Sequence, residues 1–513
     1  MIPEAGAIVA KALLDGKKLA VWGDYDVDGI TATTLALDVL EFHGFKPLHH
    51  LPDRRSEGYG LNCENIRSLA ESGCQILLTV DCGVGNPEAV ACAKELGLKV
   101  IVCDHHLPAK PLPEADAIVD PRMEEAGLWP CIHLAGVGVA FYVLAEVNRL
   151  LSASTGKFFK MDNVLDLVAL GTLADVMALE GENRPLVAAG LNMLASPARP
   201  GLAALKMVSG FEPGSALNSN QAVFRLAPRI NAAGRMGSPD LALDLLRCKD
   251  FSEAIELARM LDDCNTRRKT EEARIFDLAR KQAQELLDAR DYGGLVLAGE
   301  DWHPGIVGIV ASRIVEEFNR PAIVLYQDDG SFKGSGRSVL NFDLHDALQG
   351  MAGLLLGFGG HKQAAGVSVA AENLEEFRKQ FSQSVKRVLG NLPPPPTLIL
   401  DGGLPFSHAS NPVFVRELDL MQPFGPGNEE PVFASMPVEI VSRRLLGHTG
   451  EHVLLVLREV ESGREMKAKA WRMAKELHDG LIGKTIRIAY TPEIDVYNGI
   501  ANISLLVKDW QKA

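Results

Sequence analysis

At 513 residues, 47% of them hydrophobic and 23% charged, the chain is too long for a single core, and two to four domains are expected. A formal charge of −14 argues against a general nucleic-acid coat, while leaving room for a local basic groove. No run reads as apolar and long enough to span a membrane, no signal peptide is seen, and eight scattered cysteines without a CxxC pair argue against a disulfide framework or zinc site.

The first pattern is KLAVWGDYDVDGITATT, Lys18 to Thr34. Leu19 to Trp22 reads as a buried strand, and Ile30, Leu35, Ala36 and Val39 repeat at helical spacing. Between them stand Asp24, Asp26 and Asp28, closed by Gly29. Three carboxylates at alternating positions repel one another unless cations sit between them, which favours a hard-metal site.

The pattern then recurs. A second strand is expected near Lys46 to Leu51, with a polar loop from Pro52 to Gly60. QILLTVDCGVGN ends its apolar run in Asp81, and LKVIVCDHHLP ends in Asp104, His105 and His106. Strands alternating with helical segments predict an α/β fold with a parallel, doubly wound sheet. Ligands bind such sheets outside the carboxyl ends of the strands, where these side chains converge. Each alone has a bland reading, as a helix cap or a surface histidine. Together they favour metal. Asp175, inside the apolar run Asn163 to Leu179, reads either as a surface helix-end charge or as a further ligand.

DYDVDG at 24–29, DCG at 81–83, DHH at 104–106 and ALGTLADV around Asp175 resemble the ordered motifs of the DHH phosphoesterase family, most closely its bacterial single-strand-specific exonucleases. The resemblance implies that Asp26, Asp28, Asp81, His105 and Asp175 hold two Mn²⁺ or Mg²⁺ ions, with Asp81 a bridge. Asp24 would lie beside them, and His106 would face the substrate phosphate; Asp81, Asp104, His105 and His106 are the catalytic candidates. Many relatives have a histidine where this chain has Trp22, so either one metal loses a ligand or Asp24 replaces it. The first motif also comes early, as if an amino-terminal extension were missing.

Between Gln221 and Pro239, Arg225, Arg229 and Arg235 are interrupted by Pro228, Gly234 and Gly237. Their spacing fits no single helix stripe. A loop offering phosphate contacts is expected, and the family resemblance extends to RINAAGRM. Asp250 to about Ala289 predicts a long bridging helix with a capping-box-like start at Asp250 and Glu253.

A second α/β pattern begins at Gly293, with strand-like LVLA and AIVLY flanking a helix from Gly305 to Phe318. Trp302-His303-Pro304-Gly305 falls at the start of that helix, and glycine-rich turns follow around Arg337, Ser338, Gly359, Gly360 and His361. These resemble the family's DHH-associated substrate-binding domain. The likeness assigns Arg313, Arg337, Ser338 and His361 to the DNA backbone.

Four prolines at 393–396 suggest an extended linker. Beyond it TLILD, PVEIVSRRLL, EHVLLVLREV, REMKAKAWR, KTIRIAY and IANISLLV read as strands of a small barrel, an OB fold by the family likeness. Arg443, Arg444, Lys467, Lys469, Trp471, Arg472 and Tyr497 are its candidate strand-binding residues. The expected boundaries are thus a catalytic domain at 1–249, a connecting helix at 250–290, a substrate-binding domain at 291–390 and the barrel at 397–513.

The resemblance implies a 5′-to-3′ exonuclease that releases 5′-mononucleotides from single-stranded DNA in repair and recombination, in the cytoplasm and without a membrane. Single-strand-binding protein and a RecQ-type helicase are partners implied only by the family. The rivals are hydrolysis of short oligoribonucleotides or cyclic dinucleotides, and a non-catalytic single-strand-binding scaffold. A manganese-dependent pyrophosphatase would not need the segment after Pro393.

Overall fold

The computed structural model describes all residues except Arg55, Ala109, and residues 124–131, 289–292, 391–396, 448–449 and 498–499. Residues 1–396 form one compact unit and 397–513 another. The proline run of the expected linker lies outside the described residues.

Five strands open the first unit: β1 (Leu19–Trp22), β2 (Leu48–His50), β3 (Ile76–Val80), β4 (Lys99–Cys103) and β5 (Ala117–Val119). They pair in parallel in the order β2-β1-β3-β4-β5. Alternate side chains divide between two cores. Leu19 and Val21 join one with helices Ile2–Leu14, Val27–Phe42 and Leu165–Ala174; Ala20 and Trp22 join another with helices Cys63–Glu71 and Pro87–Glu95. A sheet covered on both faces is written as unbroken apolar runs, as seen here. The order reverses between β1 and β3, so a crevice opens at that point beyond the carboxyl ends.

Helix Gly136–Thr155 is long and apolar enough to cross a membrane, contrary to the sequence expectation. Its Val139, Val143, Leu144, Val147 and Leu151 are instead buried in the first core, beside helices Ile2–Leu14 and Val27–Phe42. Residues 219–236 are also not the expected loop: a π-helical turn at Ala222–Leu226 leads into helix Ala227–Met236. Pro228 sits in the first turn, where its missing N–H costs nothing.

The long helix runs Phe251–Asp288, and Asp250 Oδ1 accepts the Glu253 N–H at 2.9 Å. Ala254, Ala258 and Leu261 bury in the first core; Ile275, Ala279 and Ala283 bury against a second sheet. That sheet comprises β6 (Leu295–Gly299), β7 (Ala322–Asp328), β8 (Ser331–Arg337), β9 (Leu355–Gly360) and β10 (Ala364–Ala370) in the order β6-β7-β8-β10-β9. Only β6 and β7 are parallel, with helix Val307–Phe318 between them. The rest is antiparallel.

In the second unit β13 (Val438–Leu446), β14 (His452–Glu459), β15 (Glu465–Ala470), β17 (Ile500–Lys512) and β16 (Thr485–Tyr497) pair in a ring that closes from β16 back to β13. β15 and β17 are parallel, the other pairs antiparallel, which is OB-type closure. Short β11 (Gly402–Gly403) and β12 (Phe433–Ala434) extend the sheet beyond β16. TLILD is no strand; its last residue, Asp401, donates its N–H to Val432 O at 2.8 Å, and the strand proper begins at Gly402. Arg443 is spent on Asp479 and the carbonyls of Ala474 and Leu477, and Lys469 pairs with Glu493. Trp471 remains half exposed, edge-on to His452, while the Tyr497 side chain lies outside the described set.

Candidate metal centre

Three strand ends and one helix end meet at the crevice. Asp24, Asp26 and Asp81 each offer a carboxylate oxygen within 4.8 Å of the others; the carboxylate oxygens and imidazole nitrogens of Asp28, His105 and Asp175, and of Asp81, His105 and His106, lie equally close. Asp81 and His105 belong to two groups each, which makes them the shared centre. His105 Nε2 lies 3.1 Å from Asp81 Oδ1, 3.6 Å from Asp175 Oδ2 and 3.8 Å from Asp28 Oδ2.

Local chemistry fixes these positions. Asp26 caps its helix, its Oδ1 accepting the Asp28 and Gly29 N–H groups. Asp28 reaches across to the start of helix Gly136–Thr155 and accepts the Gly136 and Val137 N–H groups at 2.6 and 2.9 Å. Asp81 stands at φ 63°, in the left-handed region that aspartate and asparagine enter more readily than other non-glycine residues. Asp175 terminates helix Leu165–Ala174, so it is both a helix-end charge and a member of the cluster. Asp104 orients the histidine pair: its Oδ1 accepts from His105 N, His106 N and the His106 ring, its Oδ2 from Val84 N.

Burial, then mutual repulsion, pushes the carboxyls of Asp24, Asp28 and Asp81 well above the usual range. Burial and then the neighbouring Asp26 bring Asp175 up to about 7. Burial, then the charge on His106, drives His105 down to about 3, keeping its ring neutral and able to donate a lone pair to a metal. His106 is the opposite case: burial alone would lower it, but the Asp104 hydrogen bond holds it up at about 9. Buried Asp24 Oδ1 and Asp81 Oδ1 have no hydrogen-bond partner. Oxygen donors left unsatisfied around one neutral imidazole fit a hard divalent cation, and such an ion would displace the protons they hold. Trp22 is no part of this set; it is wholly buried, its ring 4.3 Å from that of His50.

A cavity of about 660 Å³ adjoins the cluster, lined by Tyr25, Arg54, Tyr59, Arg235 and, from the second sheet, Lys333, Ser335, Arg337, Gly359 and Gly360. The Tyr59 hydroxyl touches both, 3.1 Å from His106 Nδ1 and 3.4 Å from the Asp81 carbonyl. Arg235, brought down to about 10 by burial and then by Arg54, donates to Gly305 O across the two halves.

Other expected substrate contacts lie outside this cavity. Arg225 donates to the carbonyls of Ser209 and Gly210 and stacks on Phe211 at 3.8 Å. Arg229 pairs with Asp262, and Arg313 pairs with Glu272 while covering Phe276. Ser338 donates to Phe342 O, and His303 Nδ1 accepts the Gly305 N–H. His361 is exposed overall; partial desolvation of its ring, then the charge of His106, lowers its pKa. Arg225→Ala is therefore expected to cost about 1–2 kcal/mol of stability, read by thermal melting, with unchanged turnover per folded molecule.

Sequence reasoning missed Arg54 and Tyr59, which stand in the polar loop after β2. The available signal was a basic and an aromatic residue beyond a strand's carboxyl end. It also missed Asp120, wholly buried after β5 and brought up to about 7 by burial.

The DHH family N-terminal domain profile matches residues 18–172 and the DHHA1 domain profile residues 291–387. The sheet and its acidic crevice thus place the chain among the DHH phosphoesterases. The RecJ OB domain profile matches residues 400–509. The single-stranded-DNA-specific exonuclease RecJ of Haemophilus influenzae is 36% identical over 99% of this chain and 90% of its own length. That of Bacillus subtilis is 35% identical over 99% of this chain, which spans 63% of it. The crystal structure of Thermus thermophilus RecJ in complex with Mn²⁺ superposes with a TM-score of 0.83 at 32% identity, over all of this chain and 72% of that one. The chain belongs to the RecJ family.

Proposed function

We propose that the protein is a divalent-metal-dependent exonuclease that degrades single-stranded DNA from the 5′ end to 5′-mononucleotides, serving repair and recombination in the cytoplasm. The carrying observation is the arginine-lined cavity beside the acidic crevice, joined to it through Tyr59. A terminal 5′-phosphate carries nearly two negative charges, an internal diester one and a 3′-hydroxyl none. Arg54, Arg235 and Arg337 suit the most charged end, with the next phosphodiester then reaching the crevice.

Asp26, Asp28, Asp81, His105 and Asp175, with Asp24, would hold two Mn²⁺ or Mg²⁺ ions. Such ions polarise a phosphodiester and lower the pKa of a bound water. Buried carboxylates exclude bulk water and fix the geometry. His106, kept protonated through Asp104, presents positive charge to the scissile phosphate. Water adds to phosphorus, the bond to the 3′-oxygen breaks, and that oxygen takes a proton. Each cut leaves a new 5′-phosphate on the shortened strand, which refills the cavity.

The OB-type barrel supports a long single strand over a cyclic or short oligonucleotide, and the stacked acids support catalysis over a scaffold role. Single-strand-binding protein and a RecQ-type helicase are the proposed partners. Digestion of 5′- and 3′-labelled strands with Mn²⁺, Mg²⁺ or EDTA tests the reading. Loss in EDTA and early release of the 5′ label are expected; faster cleavage of dinucleotides than of long strands would sink it. Arg235→Ala and Arg337→Ala should each raise KM roughly 10–100-fold and erase preference for a 5′-phosphate over a 5′-hydroxyl.

A further inference from the structure

The loop from Pro52 to Gly60 carries two residues into the cavity while having little core of its own. Arg54 lies 5.0 Å above the Tyr25 ring, and Tyr59 bridges His106 and Asp81. Gly58 and Gly60 flank Tyr59 in left-handed conformations, at φ 82° and 84°. Something must hold this loop, because two functional side chains on a bare turn would sample many positions.

One half-buried carboxylate collects the loop's attachments. Glu57 Oε1 accepts the Asp53 N–H at 2.9 Å. Glu57 Oε2 accepts from Asn62 Nδ2 at 3.0 Å and from Asn65 Nδ2, and lies 2.8 Å from His50 Nε2. These donors come from the end of β2, the loop itself and the first turn of helix Cys63–Glu71, where Asn62 is the cap. Behind His50 stands Trp22, ring to ring. Trp22 therefore backs the anchor of the loop.

We propose that Glu57 is a positioning residue for substrate capture: it sets Arg54 against the cavity and contributes to binding only through that guanidinium. The inference rests on the cavity being the seat of the strand's terminal phosphate. Glu57→Gln keeps the shape but turns an amide toward a cluster of donors, so the loop should lose its fixed geometry.

The test is a double-mutant cycle read by fluorescence anisotropy of a 3′-labelled, 5′-phosphorylated oligonucleotide without added metal. Glu57→Gln and Arg54→Ala should each raise Kd about tenfold, and the double variant should bind within about twofold of Arg54→Ala. A merely structural role would instead multiply the two effects, as would any direct contact between Glu57 and the strand; either result overturns the proposal. Parent-like binding by Glu57→Gln also overturns it. Should Glu57→Gln fold poorly, Asn65→Ala removes one attachment and must show the same non-additivity with Arg54→Ala on a smaller scale. An Arg54→Ala variant that binds as the parent does overturns the reading of the cavity itself.

Discussion

Asp81→Asn is expected to abolish strand digestion, by about 10³-fold or more, while raising the melting temperature of the metal-free protein. Both effects have one cause. Asp81 sits in two of the three ligand groups, so its loss removes a donor shared across the centre and the several kcal/mol of charge stabilisation that metals supply. Without metal, the same carboxyl is a burden: it is buried among Asp28, Asp26, Asp24 and Asp175, all of which raise its pKa. Asparagine removes the charge and tolerates the left-handed backbone at φ 63°. Mn²⁺ should raise the melting temperature of the parent, because it binds the folded state, and should barely move the variant. Label release with Mn²⁺ and melting curves with and without it are the measurements. Digestion at the parental rate would remove Asp81 from the centre.

How much of this could be read in advance depended on whether the deciding contact was local. Asp26 announced itself, since a capping aspartate beside its helix is written in six consecutive residues. The convergence of Asp81 and His105 followed from strand ends alone, because every parallel strand delivers its carboxyl terminus to the same edge. The strand order did not follow, as pairing between β1 and β3 bridges residues nearly sixty apart in sequence. The partners of Arg225 were hidden for the same reason: the carbonyls of Ser209 and Gly210 lie on an earlier turn that no spacing rule reaches. β8 and β9 were hidden by their glycines, which erase the alternation that marks a strand. Arg54 and Tyr59 were plain in the sequence, but their role came only from the cavity wall opposite.

Gly136→Ala should cut activity by about 100-fold or more and lower stability by roughly 1–3 kcal/mol, against the usual gain from alanine in a helix. A Cβ at this first residue of helix Gly136–Thr155 would stand 2.5 Å from both Cβ and Oδ1 of Asp81. Neither side can yield cheaply. Asp81 is pinned by its backbone bond to Cys103 O, and the Gly136 N–H is committed to Asp28 Oδ2. Relief must therefore separate Asp81 from Asp28, the pair whose closeness lets His105 serve both. Gly353→Ala, where a Cβ would meet nothing within 4 Å, controls for the substitution itself. Melting curves and label release on both variants decide the matter: if Gly136→Ala melts and digests like the control, the aspartates have room to spare and tight packing against Gly136 is not what holds them together.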